Sequence, residues 1–285
     1  MIRSLAGATI VTPDLDAAVA AYRDFLGYEG EIGALEKDAA ALWGVPEATG
    51  ARIATLHPAS GKKRFIRLVE GVPAPDFRPL ASFGWTAIEI VVQQVDRLAE
   101  KLADSPFRII GPPAVLDFEF TDKLKAMQVV GPGGEILYLT QIGGEIPGFD
   151  LPTADSFVDH PFIMVLASPD IADVGSFYDR LGRPISPEMT APVRILSDAF
   201  GLPAEHKHRL ATVAFDDCSL LEVDAFPPQT VARPRSSIGL PSGIAVVSLF
   251  GDVSALGANG PLMGRAGEWI EFLDGGECSI NNKNL

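Results

Sequence analysis

The chain repeats itself. Thr12-Pro13-Asp14-Leu15 ends an apolar run and opens a helical pattern carrying Tyr22, Leu26 and Gly27, and Ser168-Pro169-Asp170-Ile171 opens another carrying Tyr178, Leu181 and Gly182. Pro13 to Pro169 and Tyr22 to Tyr178 are both steps of 156 residues. A second pair of blocks keeps a step of 157: Gly44-Val45-Pro46 leading to Arg52-Ile53-Ala54-Thr55-Leu56, and Gly201-Leu202-Pro203 leading to Arg209-Leu210-Ala211-Thr212-Val213. Agreement of separate blocks on one offset marks a duplicated unit and restricts the fold to two alike halves. These are residues 1–146 and 157–285, joined by the Gly- and Pro-rich stretch from Gly143 to Pro152.

Each half reads as alternating strands and helices. Ala6 to Val11 is a β-branched run, Asp14 suits a helix N-cap, and Leu15, Val19, Tyr22 and Leu26 recur at helical spacing until Gly27 stops them. Ile53 to Leu56 and Phe65 to Val69 read as strands. A second unit begins at Trp85 to Val92, passes through a helix near Val95 to Leu102, and ends in Glu135-Ile136-Leu137-Tyr138-Leu139. The second half repeats the pattern with Pro161 to Ala167, a helix from Asp170 to Leu181, and strands near Arg209 to Phe215 and Ser219 to Val223. Its last unit is short: Thr86 to Tyr138 spans 52 residues, but Gly243 to Glu271 only 28, which implies a lost helix and part of a sheet. A cup so shortened is open, or is completed by a second copy in a homodimer.

Composition excludes several classes. With 37 acidic and 23 basic residues the net charge is −14, opposite in sign to a nucleic-acid footprint. The one basic run, Lys62-Lys63-Arg64, reads as a solvated turn. Cys218 and Cys278 have no metal-ribbon or redox spacing and read as free thiols. No apolar stretch reaches membrane-spanning length and the N-terminus lacks a signal-like core, so the expectation is a cytoplasmic protein with a small-molecule ligand and no nucleic-acid or membrane partner.

The strand leading into Thr12-Pro13-Asp14-Leu15-Asp16, the Tyr and Leu-Gly closing that helix, and the strand Gly131-Pro132-Gly133-Gly134-Glu135-Ile136-Leu137-Tyr138-Leu139 together resemble the vicinal oxygen chelate superfamily, which includes glyoxalases, bleomycin-resistance proteins and extradiol dioxygenases. The resemblance runs from about residue 6 to 273. It implies an α+β fold of tandem βαβββ units forming two glyoxalase-like domains with curved mixed sheets, the fourth unit truncated. It is specific for fold and weak for reaction.

Metal-dependent members of that superfamily take ligands from the first strand of a unit, usually His, and from its last strand, usually Glu. Carried over residue by residue, the first-strand positions fall on Gly7, Thr86, Ile163 and Gly243, and the last-strand positions on Arg67, Tyr138, Glu222 and Glu271. None of the four histidines, His57, His160, His206 and His208, lies at such a position. The usual metal site is therefore not expected. A divalent metal (Fe, Zn, Mn or Ni) enters only as an alternative, through a displaced site of His206, His208 and Glu222.

The residues left point to acid/base chemistry. Glu271 and Glu222 are carboxylates inside apolar strands, a costly placement unless they are paired, exposed or functional. Two in one cup would raise each other's proton affinity. Tyr138 brings a phenol that can donate a hydrogen bond or a proton. These three are the candidate catalytic residues, and Arg67, Thr86, Trp85 and Thr9 the candidate substrate contacts, with Phe83 near the rim. The expected function is a lyase- or isomerase-like enzyme acting on an oxygenated or aromatic metabolite. The alternatives are a metal-free binding and sequestration protein, and a glyoxalase or dioxygenase with a displaced metal site.

Overall fold

Asp14 caps the first helix as its position implied. In the computed structural model, which describes residues 2–116, 118, 120–252 and 262–273, its carboxylate accepts the Ala17 N–H at 2.9 Å. Strand β1 (Ile2–Thr12) leads into this helix, α1 (Leu15–Ala21), which continues as a π turn over Tyr22–Leu26. Gly27 ends the turn at φ +73°, a left-handed conformation that a side chain would strain. The unit closes with β2 (Tyr28–Ala34), the short helix α2 (Lys37–Leu42), β3 (Arg52–Pro58) and β4 (Phe65–Glu70). Unit two runs β5 (Gly84–Val92), α3 (Val95–Leu102), β6 (Arg108–Val115), β7 (Leu124–Val130) and β8 (Ile136–Ile142).

Unit three repeats unit one: β9 (Val158–Ser168), α4 (Ile171–Arg180), β10 (Met189–Pro192), α5 (Arg194–Phe200), β11 (Lys207–Ala214) and β12 (Leu220–Ala225). Asp170 caps α4 through the N–H groups of Ala172 and Asp173, matching Asp14. Unit four contributes β13 (Ile244–Gly251), β14 (Leu262–Met263) and β15 (Trp269–Leu273). Its expected loss of a helix falls on residues 253–261, which lie outside the described residues, as does Cys278.

These strands make two mixed sheets, and each draws one unit from each half of the sequence. The seven-stranded sheet runs β14-β15-β13-β1-β4-β3-β2 and so joins units four and one. The eight-stranded sheet runs β10-β11-β12-β9-β5-β8-β7-β6 and joins units three and two. The seams are antiparallel pairs of first strands, β1 with β13 and β5 with β9. These central strands are buried on both faces, which is why they read as nearly continuous apolar runs rather than as alternations.

Two buried tyrosines hold the units of each half together. The Tyr22 hydroxyl donates to Glu135 at 2.7 Å, and Glu135 also accepts the Gly133 N–H at 2.8 Å. Tyr178 and Glu268 repeat the arrangement, with a 3.4 Å contact and a 2.8 Å bond from the Ala266 N–H. The turn glycines are required by this packing: a Cβ on Gly131 or Gly264 would lie 2.0 or 1.9 Å from the folded-back Glu135 or Glu268 carboxylate. The Tyr and Gly-Glu blocks of the repeat are therefore two ends of one buried contact.

One sequence expectation fails locally. The basic run at Lys62 to Arg64 is not merely solvated. Arg64 donates to the carbonyls of Pro161 and Asp217 and pairs with the Asp217 carboxylate at 2.6 Å, and Lys62 pairs with Asp155 at 3.0 Å. The run ties the first unit to the third.

Candidate functional site

Strand register places the four last-strand residues in equivalent positions. Along each parallel pair, Gly7 faces Phe65, Ala87 faces Ile136, Ile163 faces Leu220 and Val246 faces Trp269. Two residues further lie Arg67, Tyr138, Glu222 and Glu271, opposite Thr9, Glu89, Val165 and Ser248. The pairing corrects the first-strand positions of units two and four from Thr86 and Gly243 to Ala87 and Val246. It also separates the candidate catalytic residues: Glu271 belongs to the seven-stranded sheet with Arg67 and Thr9, whereas Tyr138 and Glu222 share the eight-stranded one.

One face of the seven-stranded sheet carries an apolar cluster. Trp43, at the end of α2, is buried there among Leu35, Val45, Leu240, Val246 and Trp269. Its indole N–H donates to Glu271 at 3.1 Å. Glu271 further accepts from Ser248 at 2.5 Å and pairs with Arg67 at 3.0 Å. The Arg67 guanidinium lies 4.6 Å from the Phe65 ring centroid and 5.4 Å from that of Trp43, and is 3.4 Å from the Thr9 hydroxyl. Every charge here has its partner, so Glu271, Arg67 and Thr9 form a closed structural network. Glu271, Arg67 and Thr9, expected as a catalytic residue and substrate contacts, are thus engaged with one another and lie off the lining of the eight-stranded cavity.

The eight-stranded sheet instead encloses a cavity of about 440 Å³. Its floor carries a polar strip set by register: Gln128 on β7 faces Tyr138 on β8, which faces Glu89 on β5, while Glu222 on β12 faces Thr212 on β11. The walls are apolar, with Phe162, Ile163, Ile195 and Leu220 among them. Near the mouth Phe118, Phe120 and Phe149 form a stack, with centroids 5.1 and 5.6 Å apart and planes within 27° and 25°.

The cup charges are unbalanced. Where the seven-stranded sheet sets Arg67 against Glu271, the eight-stranded one sets Tyr138 beside Glu89 on the seam strand β5 and has Glu222 on the same cavity lining. Burial, then repulsion from Glu222, pushes the Glu89 carboxyl up to about 8, against a smaller opposing effect of the Thr140 hydroxyl, which donates to it at 2.5 Å. Burial likewise raises Glu222, while a hydrogen bond from Asp224 favours its ionised form. Asp224 is raised well above the carboxylate range by burial and then by Glu222. It is 1% exposed and its Oδ1 has no hydrogen-bond partner. The Tyr138 phenol is raised by burial and by these three carboxyls.

Other sequence candidates lie elsewhere. Trp85 is in the main core, donating its N–H to the Trp269 carbonyl at 2.8 Å, and does not touch the cavity. Thr86 is buried off the cavity with an unpartnered hydroxyl. Phe83 packs with Leu196 and Phe226. His206 and His208 do come together, with ring centroids 4.8 Å apart, but His208 bonds Ser197 at 2.9 Å and neither lines the cavity with Glu222. The displaced metal lip is not assembled. Among the described residues no three His, Cys, Asp or Glu side chains come together as a metal-holding group. The corrected first-strand positions, Gly7, Ala87, Ile163 and Val246, carry no donor atoms, so the residues present do not fit the superfamily's metal.

Glu89 and Asp224 escaped the sequence reading. Glu89 carried the same signal as Glu222, a lone carboxylate in the apolar run Trp85 to Val92. Its place in the site comes from its pairing with Tyr138 across β5 and β8, which the motif does not mark.

The whole arrangement has counterparts of known structure. A single-site variant of glyoxalase I from Zea mays superimposes with a TM-score of 0.61 at 17% identity, covering 95% of this chain and 92% of its own. A candidate dioxygenase from Bacillus subtilis gives 0.59 at 9% identity, covering 96% and 85%. The chain shares its fold with these glyoxalase I and dioxygenase structures. No family model and no curated protein matches the sequence, so this fold is recognised through superposition and carries no substrate with it.

Proposed function

We propose that the protein is an acid/base enzyme of the lyase or isomerase kind, acting on a small, largely apolar oxygenated molecule held in the eight-stranded cup without the superfamily's metal. One observation carries the reading: two carboxyls, Glu89 and Glu222, lie on the wall of one apolar cavity with raised proton affinities, and the cation on its described lining, Arg194, is exposed at the rim. Groups that titrate near neutrality are suited to moving protons at working pH. Glu222 ionises first, because Asp224 donates to its ionised form, and serves as the base. Glu89, supported by one hydroxyl, keeps its proton and serves as the acid toward a substrate oxygen. Tyr138 stays protonated and donates a hydrogen bond beside it.

The test is proton NMR in D2O on a panel of small aryl ketones, β-dicarbonyls and hydroxyketones. At least one class is expected to exchange or isomerise, and Glu222→Gln to slow it by about 10²-fold or more. Tight binding of the panel without any change in its C–H or C–O bonds contradicts the enzyme reading and favours sequestration, the reading that the phenyl stack at the mouth also supports.

A further inference from the structure

The cup's own carboxyls report what charge it tolerates. Burial is the largest influence on Glu89, Glu222 and Asp224 alike and exceeds their mutual repulsion. A wall that suppresses charge on its own side chains through lost hydration suppresses it on a guest too, whichever the sign. From the floor strip of Gln128, Tyr138, Glu89 and Glu222 inside apolar walls and from the phenyl stack, we infer that the cup is selective for uncharged guests: a neutral aryl or otherwise planar compound with a carbonyl-type acceptor, in preference to the corresponding carboxylate or ammonium. The inference rests on the reading of this cup as the ligand site.

The geometry places the recognition at Glu89. Its Oε1 is occupied by the Thr140 hydroxyl, which leaves Oε2 to carry the proton and donate it to an acceptor in the cavity. The charged and titratable groups that face it are Tyr138 from β8 and Glu222 from β12, with Asp224 behind Glu222 on the same strand. Strands β7, β9 and β11 present Gln128, Ile163 and Thr212, none of them charged. The cation on the cavity lining is Arg194 at the exposed rim, and Asp198 lies one turn further along α5. An anionic guest would therefore meet carboxyls at the floor without a counter-ion. An ammonium guest would lose its hydration to an apolar wall and meet at Glu89 a carboxyl that holds its proton.

The measurement compares three probes on one aromatic body, naphthylacetone, naphthylacetate and naphthylethylammonium, by calorimetric titration of the full chain at about pH 7. The ketone is expected to bind at least about tenfold tighter than either ion. Tighter binding of the ammonium overturns the inference and makes the cup a cation site, and tighter binding of the acetate overturns it as well. A second arm follows the ketone with pH. In the wild type its affinity is expected to fall as pH rises past about 8, where Glu89 loses its proton, whereas Glu89→Gln, which keeps an uncharged donor, is expected to stay flat. A wild-type affinity that does not change with pH removes Glu89 from recognition. The ranking is read from binding alone, so it stands or falls apart from turnover in the exchange assay. No binding of any probe overturns the cup itself as the site.

Discussion

Glu89 makes the pH dependence of stability a residue-scale question. Its folded-state proton affinity, about 8, lies above the ordinary carboxylate value of 4.5, so the folded chain holds a proton that the unfolded chain releases. The stability this contributes is fully present below about 4.5 and is lost as pH rises through about 8. Each unit of such a shift corresponds to ~1.4 kcal/mol. Glu89→Gln is therefore expected to lose less stability than the wild type between about pH 5 and about pH 9, by a few kcal/mol, in urea titrations at both ends. Equal losses would show that Glu89 ionises normally. At the same scale, Glu135→Ala strands the buried Tyr22 hydroxyl and the Gly133 amide. It is expected to cost ~2–6 kcal/mol, about 1–3 for each orphaned group, and more than Glu268→Ala, whose tyrosine contact is longer. A smaller effect at Glu135 than at Glu268 in the same titration would contradict this ordering.

At the scale of elements, the difference between the two sheets comes from equivalent helices that end differently. Helices α2 and α5 occupy matching places in the repeat, and Gly44 and Gly201 follow them in the left-handed conformation. Trp43, just past α2, packs into the apolar cluster on the seven-stranded sheet, whereas Phe200 packs against Phe226 away from the cavity. Trp43→Ala is expected to destabilise the chain by ~3–5 kcal/mol in chemical denaturation, the usual cost of removing a large buried aromatic. A cost below ~1 kcal/mol would mean that the cluster is not packed around it. Much at this scale was legible in the sequence: β1, α1, β5, α3, β9 and α4 follow from caps, apolar runs and helical spacing. The edge strands β2 and β10 were not. Residues 28–34 read Tyr-Glu-Gly-Glu-Ile-Gly-Ala and are mostly exposed, so no alternation marks them. Of the site, Tyr138 and Glu222 were legible because the repeat fixes their place on a last strand. Glu271's role was not, since its partners Trp43, Arg67 and Ser248 come from three separate stretches of chain.

For the whole molecule, the sequence halves and the sheets interlock. Tyrosine–glutamate contacts bind the units within each half, while β1–β13 and β5–β9 pairing binds the halves to each other. Residues 1–146 alone would leave one long edge of both β1 and β5 unpaired, an arrangement prone to association. Separate expression of residues 1–146 and 157–285 is expected to give insoluble or self-associated fragments, and co-expression a stoichiometric complex. Two soluble monomeric fragments with native circular dichroism would contradict the interlock. The account as a whole turns on the eight-stranded cup being an apolar cavity whose burial raises the proton affinity of its carboxyls and keeps Glu89 protonated. The most direct measurement is carbon-13 NMR titration of the glutamate side-chain carboxyls, with Glu89→Gln and Glu222→Gln used for assignment. The account expects Glu89 to titrate near 8, with Glu222 also above the ordinary range and its curve coupled to that of Asp224. Titration of both glutamates near 4.5 would show a hydrated surface in place of the cavity and would contradict the account.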